Sequence, residues 1–306
     1  MITVFGSINL DLIFNVPAIP RPGETVLGPA TRIEPGGKGA NQAVAAARDG
    51  ASVAMAGAIG RDTLGEQAVG LMRAGGVDLS RVVRTDASTG CASIVVDASG
   101  ANAIAVGSGA NLLARAGQVE DALLSGTLVL QMEVPAQETA SLIRRARVVQ
   151  REAVQRGEAK GRVVLNLAPA APLPEDALRA VDILVVNETE GAWLAAHLGC
   201  AAGAAGLRDR LDGVAVVLTL GEAGAEIAMP GDAWHQPAAS VTAVDTTAAG
   251  DCFVGVIASR LDAGADLRTA VAVATFAAAL CCTRRGSQGS LPIRTETDAF
   301  VAGAGP

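Results

Sequence analysis

The sequence predicts a doubly wound α/β fold: a mostly parallel sheet with helices on both faces and a small β-sheet lid. Three observations carry this expectation. From residue 128 onward, short apolar runs rich in Val, Ile and Leu alternate with helical segments, the pattern of a parallel sheet buried on both sides. Residues 89–111 break that alternation with two short strands joined by Ala98-Ser99-Gly100-Ala101-Asn102, a hairpin with no helix between. Residues 9–33 carry Pro17, Pro20, Pro22, Gly23 and Gly28, which is strand-and-turn chemistry without a long helical period. The two β-rich segments, 9–33 and 89–111, are expected to form the lid of a single domain spanning 1–306.

Taken in order, residues 1–8 read as a buried first strand. An alanine-rich helix is expected over 39–48, closed by Gly50, then a strand over 51–59 and a helix over 63–74. After the hairpin, strands are expected at 128–132, 162–165, 183–186 and 214–220, with helices at 137–155 and through Trp193 and Leu198. A hairpin-like stretch covers 226–241, and two helices follow near 251–262 and 267–282.

Composition narrows the function. The net charge is −7 with no basic block, which argues against a nucleic-acid partner. The five cysteines form no C-x-x-C pair and the two histidines are isolated, so no zinc site is visible. An odd cysteine count without framework spacing suits a reducing compartment. The N-terminal apolar run lacks a basic region and meets Asn9 and Asp11 early, so neither a signal peptide nor a membrane span is expected, and the place is cytoplasmic.

The stretch Val244-Asp245-Thr246-Thr247-Ala248-Ala249-Gly250-Asp251 sets small residues where an apolar helix begins, with a carboxylate just inside it. Free backbone N–H groups and the helix dipole make such a start an anion site. A carboxylate there has two readings: a base for a hydroxyl about to attack a phosphoryl group, or a first-turn acid favoured by the dipole. The polar strand ends weigh toward a site. Glu133, Asn166, Asn187-Glu188-Thr189-Glu190 and Thr219-Leu220-Gly221-Glu222-Ala223-Gly224 each follow an apolar run, and ligands bind beyond the carboxyl ends of such strands. Gly36-Gly37-Lys38-Gly39-Ala40-Asn41 opens a helix without the spacing of a P-loop or a dinucleotide fingerprint; its glycines permit close approach and Asn41 suits sugar hydroxyls. Lys38 is one of only two lysines, with Lys160, among 24 basic residues. Asn9 and Asp11 share one strand face by their period of two.

Several of these motifs together resemble the ribokinase-like sugar kinases, the PfkB family. The matching pieces are Gly6-Ser7-Ile8-Asn9-x-Asp11, Pro22-Gly23-Glu24-Thr25, Gly36 to Gln42, Thr89-Gly90, Gly109-Ala110-Asn111, Asn187 to Glu190, Thr219-Leu220-Gly221, and Asp245 to Asp251, in family order over nearly the whole chain. The resemblance implies transfer of the ATP γ-phosphate to a sugar hydroxyl, with D-ribose as acceptor and ribose 5-phosphate as product. It implies Asp251 as base and the Ala249 and Gly250 amides as anion hole. Asn9, Asp11, Gly37, Lys38, Asn41 and Glu133 would hold the sugar, and Asn187, Thr219, Gly221, Gly224 and Gly250 would lie along the nucleotide. Glu190 would order magnesium through water.

Three departures stand out. Cys252 follows the base where the family often has threonine, and a buried thiol is expected. Leu167 interrupts the family's Asn-Pro-Ala-Pro run, and Ser93 occupies a lid position that tends to be apolar, which bears on the identity of the sugar. The rivals are a fructokinase, a deoxyribose kinase, a 2-keto-3-deoxygluconate kinase, or a non-catalytic sugar sensor. A nucleoside kinase would want aromatic stacking, and the lid segments contain Phe14 alone.

Two further expectations concern ions and assembly. Asp245 and Thr247 at period two, with the last carbonyls of the helix ending near Cys281-Cys282, make a hard-oxygen site of low charge suited to potassium. The resemblance names the same pieces: Asp245, Thr247, backbone groups of Cys281, Arg284 and Gly286, and nearby Ser290. A lid with an exposed edge and an apolar face needs a cover, so a homodimer of lid against lid is expected, with Val95, Val96, Ile104 and Val106 on the covered face.

Overall fold

The structure is a computed structural model and describes residues 1–158 and 161–303. Lys160 lies outside the described residues. The chain opens with β1 (Ile2–Phe5), then β2 (Asn9–Asn15) and β3 (Thr31–Gly36), then α1 (Lys38–Arg48), β4 (Val53–Gly60), α2 (Thr63–Ala68), α3 (Gly70–Ala74) and β5 (Asp78–Thr85). The hairpin β6 (Gly90–Val96) and β7 (Asn102–Gly107) follows. Alternation then resumes with β8 (Thr127–Leu130), α4 (Ala136–Gln155), β9 (Arg162–Asn166), α5 (Glu175–Leu178), β10 (Ile183–Asn187), α6 (Glu188–Leu198), α7 (Gly203–Arg210) and β11 (Ala215–Thr219). The antiparallel pair β12 (Ala225–Met229) and β13 (Asp232–Gln236) precedes α8 (Ala249–Asp262), α9 (Leu267–Cys282) and α10 (Arg294–Gly303).

Two sheets form. The main sheet has nine strands in the order β13-β12-β11-β10-β9-β8-β1-β4-β5, parallel except for β12 and β13 at one edge. The lid has four strands in the order β3-β2-β6-β7. Strands β8 to β11 are contiguous, so the polar ends that the sequence singled out share one sheet edge.

The expected helix over 63–74 is two short helices meeting at Val69. Gly65 and Gly70 each cost roughly 1 kcal/mol of helix propensity against alanine. Gly65 is nevertheless required, because a Cβ there would stand 2.8 Å from the Gly60 carbonyl and 2.9 Å from Thr89 Oγ1. Strand β5 was not expected. It carries Asp78, Arg81 and Arg84, which hide the apolar pattern but suit an exposed edge, where charge discourages pairing with another chain. Helices α7 and α10 were also not expected.

The lid register corrects one expectation. Ile104 pairs with Ile94, and Val106 with Ala92, while Asp11 pairs with both Ala92 and Glu34. Val96, Ile104 and Val106 therefore share a face with Asn9 and Asp11, and Val95 lies on the opposite face, since adjacent strand residues point to opposite sides. Ile104 and Val106 are 57% and 50% exposed.

Helix α8 is buried along most of its length, against α1 and α9. Gly255 makes the α1 crossing possible: a Cβ there would stand 2.6 Å from both the Gln42 carbonyl and the Ala45 Cβ. At its far end Arg260 donates to both oxygens of the buried Asp49 at 2.8 and 2.7 Å and to Asp298 at 2.7 Å. This close, pinned crossing is what sets the first turn of α8 beside the first turn of α1.

Candidate active site

The α8 N-terminus begins with an outlier. Ala248 holds φ 60, the one non-glycine residue at positive φ among the described residues. Such a residue is strained and persists where surrounding structure imposes it. It turns the chain so that the next amides start the helix. The Ala249 N–H makes a long bond, 3.3 Å, to the Thr246 carbonyl, whereas no acceptor meets the Gly250 N–H among the described residues. Gly250 is thus the open half of the expected anion hole, and Ala249 is partly engaged.

Asp251 is 7% exposed. Its Oδ2 accepts from Asn41 Nδ2 and its Oδ1 from Gln42 Nε2, both at 2.9 Å. Cys252, next in sequence, is fully buried, and its thiol is pushed up by contact with Cys281 and by burial.

The expected sugar residues gather around the same place. Gly37, at φ 88, brings the chain so close that a Cβ would stand 2.7 Å from the Asn9 N. Glu133 Oε2 accepts from Ser7 Oγ at 2.5 Å and from the Lys38 backbone N–H at 3.1 Å. Burial alone would lower the Lys38 ammonium, but Asp251, Glu133 and Glu190 outweigh it and hold it above the ordinary lysine value. Asp11 is pushed up to about 7, first by burial and then by Glu133, Glu34 and Asp251. Asn9, Asn111, Ser108, Glu133 and Met132 line a cavity of ≈ 210 Å³, closed on its apolar side by Val106, Leu112, Val134 and Pro169.

One member of this cavity carried no assigned role at the sequence level. Asn111 Oδ1 accepts from the Ile8 N–H at 2.9 Å, so its nitrogen must face Asn9, where it donates to Oδ1 at 2.7 Å. That leaves the Asn9 nitrogen as the donor presented to the cavity. Gly90 is obligatory beneath this pair, since a Cβ there would overlap both Asn9 Oδ1 and Asn111 Nδ2. Gln42, Gln131 and Glu34 are further polar groups of the site that received no role. An amide inside an apolar segment, such as Gln131 after Leu128-Val129-Leu130, was the available signal.

The expected nucleotide residues lie along the strand ends beside this group. Asn187 caps α6, accepting from the Glu190 N–H at 2.8 Å, while Glu190 Oε2 accepts from the Asn187 N–H at 2.9 Å. Thr219 ends β11 next to Asn187, its paired residue on β10. Gly221 (φ 57) and Gly224 (φ 98) bound the turn into β12. Glu190 is held above the usual carboxylate range, chiefly by burial, and its Oε1 accepts no hydrogen bond among the described residues, so it fits a water-mediated magnesium contact.

The two segments expected to hold potassium are joined. The Val244 and Asp245 N–H groups donate to the Cys282 carbonyl at 2.8 and 3.2 Å. Asp245 Oδ2 accepts from Gly286 N at 3.0 Å and Oδ1 from Thr247 N at 3.0 Å and Oγ1 at 2.6 Å. Burial would raise the Asp245 carboxyl, but these donors outweigh it and hold it below the usual range. The Cys281 carbonyl accepts from Arg284 N–H, while the Arg284 and Gly286 carbonyls meet no donor among the described residues. Ser290 Oγ lies 3.1 Å from Cys281 Sγ and donates to the Ser287 carbonyl. One ionised carboxylate and unpaired carbonyls fit a monovalent cation. Among the described residues no cluster of three His, Cys, Asp or Glu side chains is placed to hold a metal ion, so the set does not resemble a divalent cage.

The model of the pfkB family carbohydrate kinases matches residues 1–294. The chain belongs to this family. A curated relative, the ribokinase of Haemophilus influenzae, is 35% identical over 98% of each chain. A deoxyribokinase of Salmonella typhimurium is 33% identical over 95% of each. The Arabidopsis thaliana ribokinase, whose structure holds ribose and ATP, superposes with a TM-score of 0.84 at 26% identity over 98% of each chain. The expected fold, a doubly wound kinase domain with a β lid, is thereby established.

Proposed function

We propose that this pfkB-family kinase transfers the γ-phosphoryl group of ATP to D-ribose, forming ribose 5-phosphate. The observation that carries the reading is Asp251: a buried carboxylate at the start of α8, held on two amides and close enough to Asp11 and Lys38 to act on their charge. The ribose and ATP seen in the Arabidopsis relative support the same assignment.

In this mechanism Asn9, Asp11, Gly37, Lys38, Asn41 and Glu133 hold the sugar. Asp251 accepts the hydroxyl proton as the sugar oxygen bonds to the γ-phosphorus and the bridging oxygen leaves with ADP. The Gly250 amide, with Ala249 and the α8 dipole, faces the charge spread over the transferring oxygens. Asn187, Thr219, Gly221 and Gly224 border the nucleotide. Magnesium, ordered through Glu190 and water, would neutralise phosphate charge. Potassium at Asp245, Thr247, the Cys281, Arg284 and Gly286 backbone and Ser290 would stiffen the loop that presents Ala249 and Gly250.

Asp251→Asn keeps the shape and removes the base, so turnover should fall by about 10²–10⁴-fold with the fold intact. Near-normal turnover would sink the mechanism. An ADP-release assay over ribose, 2-deoxyribose, fructose and adenosine tests the sugar; response to another sugar and none to ribose would reassign it. No helix among the described residues is long and apolar enough to cross a membrane, and the five free cysteines support a reducing, cytoplasmic place. The exposed edge strand β7, with Ile104 and Val106, supports a homodimer through the lid. A monomeric mass in sedimentation at micromolar concentration, with full activity, would refute that assembly.

A further inference from the structure

Resting on the kinase reading above, we propose that Gln42 is a positioning residue for Asp251, one that holds Oδ1 on the interior side and leaves Oδ2 as the oxygen that takes the substrate proton. The orientation of the Gln42 amide is decided by its neighbours. An ionised carboxylate only accepts, so the Gln42 nitrogen faces Asp251 Oδ1, at 2.9 Å. The second hydrogen of that nitrogen reaches Asn166 Oδ1 at 3.1 Å. Gln42 Oε1 in turn accepts from Gln131 Nε2 at 2.6 Å. Reversing Gln42 would set its oxygen against two acceptors and its nitrogen against a donor.

The network is closed to solvent, with Gln42 and Gln131 both 0% exposed. It is also closed sterically, because a Cβ on Gly6 would overlap Gln131 Oε1. Gln42 has both amide hydrogens and its oxygen engaged in one possible polarity, which makes it a rigid support, while the chain ends at Gln131 Oε1, a buried acceptor with no partner among the described residues. On the other side of the carboxylate the situation is open. Asn41 donates to Oδ2, yet Asn41 Oδ1 is buried and has no partner. An orphaned acceptor costs free energy unless a donor fills the place, and a sugar hydroxyl is a donor of the right kind. Next to the carboxylate, the residue on the Oδ2 side, Asn41, therefore keeps an unfilled acceptor, whereas the residue on the Oδ1 side, Gln42, has its amide fully engaged. Charged and titratable groups facing Asp251 are Lys38 from α1, Asp11 from β2, Glu190 from α6 and Cys281 from α9. None of them contacts Gln42 by hydrogen bond, so changing Gln42 alters the amide support and leaves that field in place.

The test is steady-state kinetics of Gln42→Leu and Gln131→Met across pH, with thermal melts of each variant. Gln42→Leu should lower kcat by about 10²-fold, the scale of a misplaced reacting group, with KM for the sugar changed less than about threefold by the same reasoning. The acid limb of kcat should move to higher pH, because a donor to the charged carboxylate is lost. Gln131→Met, one bond further away, should show the same pattern at about tenfold. Unchanged kcat, or a loss with an unmoved pH profile, would overturn the proposal. A readout without turnover separates this from failure of the kinase reading. In 15N-glutamine-labelled protein the Gln42 side-chain NH₂ should exchange slowly and shift when Asp251→Asn is introduced. Fast exchange, or no response to Asp251→Asn, overturns the inference even if the enzyme phosphorylates ribose. A slow, responsive NH₂ in a protein that phosphorylates no sugar upholds the geometry and rejects the reaction.

Discussion

Asp11→Asn should stabilise this protein at neutral and alkaline pH while impairing sugar binding. Asp11 is buried on the lid strand β2, faces Glu34 directly across the β2–β3 ladder and is crowded by Glu133, and no donor reaches its carboxylate among the described residues. Its carboxyl is accordingly pushed up to about 7 from the ordinary 3.8. The folded value is raised, so the folded state binds the proton more tightly than the unfolded chain does. The stability this gives is fully present below pH 3.8 and is lost as pH climbs to about 7, after which the loss levels off. Each unit is about 1.4 kcal/mol, so the gap across roughly three units is at most about 4 kcal/mol. With an unfolding entropy near 2.1 cal/mol/K per residue, a chain of this length turns 4 kcal/mol into a Tm difference of about 6 °C. Asparagine has no such titration. The assay is a pair of melts, wild type and Asp11→Asn, at steps from pH 4 to 8.5. The Tm of the variant relative to wild type should rise through that range and reach a plateau above pH 7. A gap that does not change with pH would refute the account, because titrations remote from Asp11 cancel in the difference. In the same samples the variant should need at least about tenfold more sugar, since a charged acceptor is worth roughly 1.5–3 kcal/mol.

Three other outcomes follow from the geometry. Gly90→Ala should raise the sugar KM by at least about tenfold, because its methyl group overlaps the Asn9–Asn111 pair and displaces the Asn9 donor by a large fraction of an ångström; an unchanged KM would refute the role of that pair. Arg260→Met leaves Asp49 without its buried partner and should cost about 3–5 kcal/mol in denaturant unfolding, whereas loss of less than 1 kcal/mol would show that the α8 anchor lies elsewhere. Activity in potassium should exceed that in sodium or tetramethylammonium at equal ionic strength, and Asp245→Ala should abolish the difference; equal rates in all three salts would remove the cation from the mechanism.

Much of the fold was legible because strand and helix periods are local. The contiguous apolar runs at 128–132, 162–165, 183–186 and 214–220 became the parallel strands β8 to β11, and the hairpin at 89–111 became half of the lid. What failed locally failed for a tertiary reason. Strand β5 is polar because it lies at the sheet edge, and the helix over 63–74 breaks because Gly65 is fixed by its contact with Gly60 and Thr89.

By itself the sequence determined the types of group available: Asp251 at a helix start, Asn9 and Asp11 on one strand face, glycines where chains approach, and polar residues at strand ends. It also carried enough matching motifs in order to place the chain in its family. Only the tertiary structure decided which atoms face which. Gln42 meets Asp251 because Gly255 lets α8 cross α1 closely, across more than 200 residues of chain. Asn111 sets the Asn9 amide because the residue beneath them is glycine. Hydrogen-bond polarity in a buried site depends on neighbours distant in sequence, and burial, which moves Asp11 to about 7, is a property of the packed molecule that a linear pattern does not encode.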